Sequence, residues 1–140
     1  MMNDKVRDVM TPDPITVQVT EPLVAAAKQM RDADVGAVIA VEGSAVRGLV
    51  TDRDLTVRGI AEDLDPRTTR IGDLVTHDLV AVSADDDVET AVELMRTHAV
   101  RRLPVMDGEQ VVGMVSLGDV AVAQDSHSAL ADISAEEPNN

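Results

Sequence analysis

Hydrophobic and polar positions follow a pattern that begins with a short strand and continues with a helix. Apolar and polar residues alternate over Ile15–Val19, which is typical of a strand. Leu23, Ala26, Ala27 and Met30 then form the apolar stripe of a helix. The first half is predicted to continue with the strand Ala37–Val41, a turn at Glu42-Gly43-Ser44, a strand ending at Val50, and a helix over about Asp52–Ala61.

The same order of elements returns 65 positions later in the chain. Val88, Ala91, Val92 and Met95 give the helical stripe of the second half. The second half is predicted to contain the strand Leu79–Ser83, the helix Val88–Thr97, the strands Arg102–Met106 and Val111–Ser116, and a helix beginning at Leu117. The chain is therefore predicted to be an α/β (α+β) protein made of two β-α-β-β-α repeats.

The most similar parts of the two repeats are Gly48–Asp54 and Gly113–Asp119. In each, an apolar strand ends at a hydroxyl residue in a helix N-cap position, Thr51 or Ser116, and a carboxylate follows three residues later. One interpretation is a capping box in which Asp takes the place of Glu. The other is a ligand corner, where the carboxylate accepts hydrogen bonds from a ribose and the helix N-terminus faces an anion.

Composition narrows the classes of partner that fit this chain. The 140 residues include no cysteine, tryptophan, tyrosine or phenylalanine, and the formal net charge is −14. The absence of cysteine fits a cytoplasmic protein. We expect the protein to bind neither nucleic acid nor membranes, because its negative charge is repelled by these anionic partners. The three histidines lack metal-ligand spacing, so no metal site is predicted.

The repeats set the predicted domain boundaries. Residues 5–61 form the first repeat, residues 62–70 a polar connector, and residues 71–123 the second repeat. Residues 124–140 are acidic and polar and are predicted to be a disordered tail. Apolar residues on the last helix of each repeat, Leu55 and Ile60 in one and Val120 and Val122 in the other, favour self-association.

These motifs resemble a known family. Val9-Met10-Thr11, the segment Val100–Val105 and the two Gly-x-x-Thr/Ser-x-x-Asp corners are similar to the paired cystathionine-β-synthase (CBS) module, or Bateman module, and most of all to its small stand-alone members. The resemblance covers Lys5 to about Ala123. It implies two repeats related by a pseudo-twofold axis, two clefts for AMP, ADP, ATP or S-adenosylmethionine, and pairing into homodimers.

The resemblance also implies which residues line the two clefts. One cleft would use Thr11, Asp13, Ile15, Val35 and Ala37 around the base, Ser116 and Asp119 at the ribose, and Arg101 and Arg102 at the phosphates. The mirror cleft would use Thr76, Asp78, Val80 and Val100 around the base and Thr51 and Asp54 at the ribose. Its phosphate positions, Gly36 and Ala37, carry no cation, and Arg53 is the nearest substitute.

The resulting hypothesis is a regulatory module that senses adenosine-containing ligands, has no catalytic residues, requires no cofactor, and acts on an unknown effector protein. One alternative is a structural or stress-related interaction protein whose clefts stay empty. Another is an enzyme with Asp54 and Asp119 as acid and base. The sequence offers this enzyme no oxyanion donors and no metal.

Overall fold

The computed structural model of the protein describes residues 4–75 and 79–124. The chain divides into two compact units. Of the described residues, 15–75 and 79 form the first-repeat unit, and residues 4–14 together with residues 80–124 form the second-repeat unit. The opening segment of each sequence repeat therefore belongs to the unit that holds most of the other repeat.

The elements follow the predicted order in both repeats. In chain order they are α1 (Val6–Val9), β1 (Thr11–Pro12), β2 (Thr16–Gln18), α2 (Leu23–Ala33), β3 (Ala37–Glu42), β4 (Ala45–Thr51), a π-helix (Asp54–Gly59), 3-10 helices (Ile60–Glu62 and Ile71–Asp73), β5 (Val82–Ser83), α3 (Val88–His98), β6 (Arg102–Asp107), β7 (Gln110–Ser116) and α4 (Leu117–Gln124).

The first-repeat unit is built on a three-stranded sheet in the order β2-β3-β4, with β2 parallel to β3 and β3 antiparallel to β4. Strand residues alternate between its two faces, so Val38, Ala40 and Val50 point to one face, where they join the core. The apolar stripe of α2 supplies Leu23, Ala26 and Met30 to this core. The helical periodicity in the sequence thus identified three buried residues of α2, whereas the fourth residue of the predicted stripe, Ala27, is exposed.

The segment that opens the second repeat completes this core. Ile71 is fully buried and Leu74 is nearly so. The Ile71 N–H donates to the Glu21 carbonyl at 2.8 Å, and the Gly72 N–H donates to the Val19 carbonyl at 2.9 Å. These bonds fix the segment beside the start of α2.

The second-repeat unit has a four-stranded sheet in the order β1-β7-β6-β5. The opening segment of the first repeat enters its core, where Val6 is fully buried. The Val6 N–H donates to the Asp86 carbonyl at 2.9 Å, and Lys5 pairs with Asp87 at 2.7 Å. The Asp87 carboxylate raises the pKa of Lys5, chiefly through their hydrogen bond.

Gly113 allows β1 to lie against β7. The Thr11 carbonyl oxygen would be 2.7 Å from a Cβ placed on Gly113, and the Met10 Sδ atom 2.6 Å from it. Real side chains do not tolerate such distances, so the close approach of the two backbones requires glycine. The glycine of the second corner motif therefore has a packing role.

Three local features of the helices were not predicted from the sequence. Helix α2 begins after Pro22, and no side-chain hydrogen bond caps its N-terminus. The helix after the first corner is a π-helix over most of its length. Leu55 and Val120, predicted to favour self-association, pack against the cores of their own units, while Ile60 is 67% exposed.

Candidate functional site

The first corner is a reciprocal capping box. The Thr51 backbone N–H donates to the Asp54 Oδ2 atom at 2.9 Å, and the Asp54 N–H donates to the Thr51 Oγ1 atom at 3.0 Å. Both side chains are half-buried at the end of β4. The predicted capping interpretation is therefore confirmed for this corner.

The second corner has the same geometry. The Ser116 backbone N–H donates to the Asp119 Oδ2 atom at 2.9 Å, and the Asp119 N–H donates to the Ser116 Oγ atom at 3.1 Å. Ser116 ends β7 and Asp119 lies in the first turn of α4. Each repeat thus fixes one hydroxyl and one carboxylate side by side, half-exposed, at the start of a helix.

The strands beside the second corner place three predicted site residues on one face of the sheet. Arg102 on β6 is the register partner of Ser116, and Thr11 on β1 is the partner of Met114. Register partners share a face, as do residues two positions apart, so Thr11, Ser116 and Arg102 lie on the same face. The core residues Leu103 and Val115 occupy the opposite face.

Arg101 differs from Arg102 in its position and exposure. Arg101 precedes β6 and is exposed, and its carbonyl accepts the Leu117 N–H at 2.8 Å. Arg102 is half-buried and makes an interaction of its own. The backbone of Arg101 therefore anchors the start of α4, while the side chain of Arg102 lies on the face that carries Ser116.

The first corner has no cation at the equivalent positions. Ala37 is the register partner of Thr51, and the Gly36 carbonyl accepts the Asp52 N–H at 2.9 Å. Gly36 and Ala37 are both buried. Arg53, the predicted substitute, is exposed. The two corners thus share their hydrogen bonds and differ in the charge beside them.

The other predicted site residues are divided between the units. Asp13 lies in the second-repeat unit with a left-handed backbone, at a φ of 54°. Val80 and Val100 are half-buried and pack against the core of that unit. Ile15 packs against the first-repeat core, and Val35 is 38% exposed.

Each predicted cleft combines residues of both units, so the clefts remain predictions. Thr76 and Asp78 lie outside the described residues, as does the predicted tail beyond Gln124.

Residues 4–75 and 79–124 contain no group of three His, Cys, Asp or Glu residues that could hold a metal ion. Among the helices of these same residues, none has both the length and the hydrophobicity that crossing a membrane requires.

The comparison with protein families decides the classification of the chain. The model of the CBS domain matches twice, at residues 6–58 and 71–126. The chain belongs to the CBS-domain family. As a pair of CBS domains it is a regulatory module, a class that is generally not catalytic.

Two relatives match this CBS pair over most of both chains. The protein YlbB of Bacillus subtilis is 39% identical over 136 residues, which cover 93% of this chain and 91% of YlbB. The crystal structure of Hypoxic Response Protein I, with two coordinated zinc ions, is 34% identical with a TM-score of 0.78, and the match covers 84% of this chain and 97% of that one.

A third similar structure contains adenosine compounds. The CBS domain pair of MJ0100, in complex with 5′-methylthioadenosine and S-adenosyl-L-methionine, has a TM-score of 0.79 and is 20% identical. The match covers 89% of this chain and 98% of that chain. At this identity the likeness concerns the fold alone.

Asp34, which no sequence motif singled out, lies in the turn that leads to the first corner. Asp34 ends α2 in a left-handed conformation three residues before Ala37, and Ala99 holds the equivalent place before Arg102. The offset of 65 positions already aligned these residues, so the repeat itself was the signal that could have found them.

Proposed function

We propose that this CBS pair binds adenosine-containing ligands at its two corners and regulates an effector protein according to their occupancy. The observation that carries the proposal is the pair of matching capping boxes, Thr51 with Asp54 and Ser116 with Asp119. Two equivalent corners that each fix a hydroxyl and a carboxylate are suited to two ligands of the same class.

The chemistry of a capping box leaves a defined role for the ligand. The cap uses the Oδ2 atom of each carboxylate and a lone pair of each hydroxyl oxygen. A ribose diol would donate to the second carboxylate oxygen, Oδ1, and could accept the hydroxyl hydrogen. Binding would then add to the cap without breaking it, because different atoms are used.

The charged neighbours favour a nucleotide at the second corner. Arg102 lies on the face that carries Ser116 and could donate charge-assisted hydrogen bonds to a phosphate. The net charge of −14 would otherwise repel such a ligand. The MJ0100 domain pair, which holds two adenosine compounds in the same fold, supports this ligand class.

The test uses the absence of aromatic residues. Because the chain has no Trp, Tyr or Phe, adenine retained by the purified protein would dominate its ultraviolet absorbance. Titration calorimetry with adenosine and AMP should show binding by the wild type. The double variant Asp54→Asn with Asp119→Asn should not bind, although its amide oxygens can still accept the capping N–H groups.

Failure of the wild type to bind adenosine or AMP at millimolar concentration would favour the alternative, an interaction protein with empty clefts. Hydrolysis of an added nucleotide by the wild type would favour the enzymatic alternative instead.

We also infer that the protein is a cytoplasmic homodimer. Val57 is 43% and Ile60 is 67% exposed on the helix after the first corner, and Leu117 is 49% exposed at the start of α4. Exposed apolar side chains on helices are commonly covered by twofold pairing. Sedimentation equilibrium should show a dimer for the wild type and a weaker dimer for Ile60→Lys, and a monomeric wild type would contradict the inference.

A further inference from the structure

The turn that leads to each corner carries a different charge in the two repeats. In the first repeat this turn is Asp34-Val35-Gly36-Ala37, and in the second it is Ala99-Val100-Arg101-Arg102. Three of these four positions therefore change between a charged and an uncharged residue. Asp34 and Arg101 are exposed, and Arg102 is half-buried.

Backbone geometry shows that the two turns are structurally equivalent. Asp34 and Ala99 both end a helix in the left-handed region, with φ values of 55° and 53°. The third residue of each turn accepts a backbone N–H from the start of the next helix, at 2.9 Å for Gly36 and 2.8 Å for Arg101. The fourth residue pairs with the corner hydroxyl residue, Thr51 or Ser116. The charge difference is therefore placed at the same position in both units.

The residues of the corners increase this difference. The first corner contains Asp52 and Arg53 at positions where the second has Leu117 and Gly118. With Asp34 and Asp54 included, the turn and corner of the first repeat carry three carboxylates and one guanidinium. Those of the second repeat carry one carboxylate, Asp119, and the guanidinium groups of Arg101 and Arg102. The formal charge of these residues is therefore −2 in the first repeat and +1 in the second.

This charge difference would act on the 5′ substituent of a ligand, which is the group attached to the 5′ carbon of the ribose. If the corner holds the 2′,3′-diol, the 5′ substituent lies only a few bonds away and cannot avoid the charges of the adjoining turn. Neighbouring charges of opposite sign attract the substituent and charges of the same sign repel it, more strongly where solvent is partly excluded.

We infer that the first corner selects an adenosine compound with a cationic 5′ substituent, whereas the second selects one with a phosphorylated 5′ substituent. The inference rests on the proposed function, which places the ribose at the corners. The module would then respond to two chemically distinct adenosine compounds, one at each corner.

The test compares three ligands that differ only at the 5′ position. These are 5′-amino-5′-deoxyadenosine, which is cationic at neutral pH, adenosine, which is neutral, and AMP, which is anionic. Asp119→Asn leaves the first corner intact, and Asp54→Asn leaves the second intact. Calorimetric titrations should rank affinity as amine, adenosine, AMP for Asp119→Asn, and in the reverse order for Asp54→Asn.

Each step in rank should be roughly threefold to tenfold at low salt, and added salt should reduce it because it screens exposed charges. Asp34→Asn, combined with Asp119→Asn, should reduce the preference for the amine severalfold, since Asn also tolerates the left-handed conformation. Asp32→Asn, at a nearby exposed position of α2, is the matched control and should leave the preference unchanged.

The same rank order in both single variants would overturn the inference and leave the proposed function standing. Loss of the amine preference in the Asp32→Asn control as well as in Asp34→Asn would also overturn it, because the effect would then not depend on position. Failure of the wild type to bind any of the three ligands would refute the proposed function and this inference together.

Discussion

The two corners of this protein share their hydrogen bonds and the backbone geometry of the adjoining turns, and they differ in the side chains of those turns and in the helices that follow. The capping distances of Thr51 with Asp54 agree with those of Ser116 with Asp119 to within about 0.1 Å. The strand positions beside them change from buried Gly36 and Ala37 to Arg101 and Arg102. Under the proposed function, the repeated corner would hold the common part of a ligand, while the variable neighbours would distinguish between ligands.

The helices that follow the corners differ as well. After the second corner, α4 is a regular α-helix, while the first corner leads into the π-helix Asp54–Gly59. The Ile60 N–H donates hydrogen bonds to both the Leu55 and Thr56 carbonyls. Gly59 is buried close to Leu23. A Cβ at Gly59 would lie 3.1 Å from the Leu23 Cδ1 atom, so a side chain at this position would require Leu23 to shift by a few tenths of an ångström. Equivalent corners can therefore be followed by helices with different hydrogen-bond patterns, a π-helix in one repeat and an α-helix in the other.

The largest expected effect is a loss of stability on truncating Val6 or Ile71. It tests whether the opening segment of each repeat packs in the core that holds most of the other repeat. Val6 and Ile71 are equivalent by the 65-residue offset, and both are fully buried. Ile71→Ala should destabilise the protein by about 2–5 kcal/mol, because it leaves a cavity. Val6→Ala removes less apolar volume and should cost about 2 kcal/mol. Urea denaturation measures both changes.

Hydrogen exchange then locates each effect. Ile71→Ala should speed exchange mainly in β3 and β4, and Val6→Ala mainly in β6 and β7, since each residue packs in that core. Faster exchange in the strands of the residue's own sequence repeat would contradict the exchanged arrangement.

The next effect concerns the cation beside the second corner. Arg102→Ala should weaken AMP binding tenfold to hundredfold, because one charge-assisted hydrogen bond is worth about 1.5–3 kcal/mol. Adenosine binding should change little, since it has no phosphate. Arg101→Ala is the matched control and should have the smaller effect, because Arg102 lies on the Ser116 face. Equal losses for AMP and adenosine in titration calorimetry would assign Arg102 a structural role only.

A smaller effect on stability should distinguish the C-terminal ends of α2 and α3. Ala99 adopts a left-handed conformation that is costly for alanine, whereas Asp34 is of a type that tolerates it. Ala99→Gly should therefore stabilise the protein by about 0.5–1 kcal/mol. Asp34→Gly should change stability by less than about 0.5 kcal/mol. Thermal unfolding measures both, and a larger gain from Asp34→Gly would be inconsistent with this explanation.

The smallest effect concerns the ion pair at the start of the second-repeat unit. Lys5 and Asp87 form a backbone bridge and an ion pair, while the equivalent bridge, Arg70 with Pro22, lacks a carboxylate. Asp87 raises the pKa of Lys5 above its ordinary value of 10.5. The stabilisation is therefore present below pH 10.5 and is lost as the pH rises through the higher pKa of the folded state.

Lys5→Met should accordingly lower stability slightly at neutral pH and reduce the loss of stability above pH 10.5. Lys28→Met, at an exposed position of α2, serves as the control and should leave the pH profile as in the wild type. An unchanged profile in Lys5→Met would show that the ion pair contributes nothing.

Local features of the fold and the corners were predictable from the sequence. Strands and helices follow from the apolar period, and the caps follow from a hydroxyl and a carboxylate three positions apart. Both sets of predictions needed only neighbouring residues. The repeat then identified which features occur twice.

Features that depend on distant contacts were not predictable in this way. Val6 and Ile71 are apolar and therefore suited to burial, but either of the two equivalent cores could have received either residue. The start of α2 at Pro22 depends on its bridge to Arg70, 48 residues away. The face on which Arg102 lies depends on its register with Ser116, which the sequence alone does not set.

The most direct test of the central claim is the titration of three proteins with AMP by calorimetry. The wild type and Asp54→Asn should both show tight binding of AMP, and Asp119→Asn should lose it, because the proposed ribose site of the second corner is accompanied by Arg101 and Arg102. Circular dichroism spectra should match among the three, since Asn retains the cap. Loss of tight binding in Asp54→Asn but not in Asp119→Asn, or no binding by the wild type, would contradict the account.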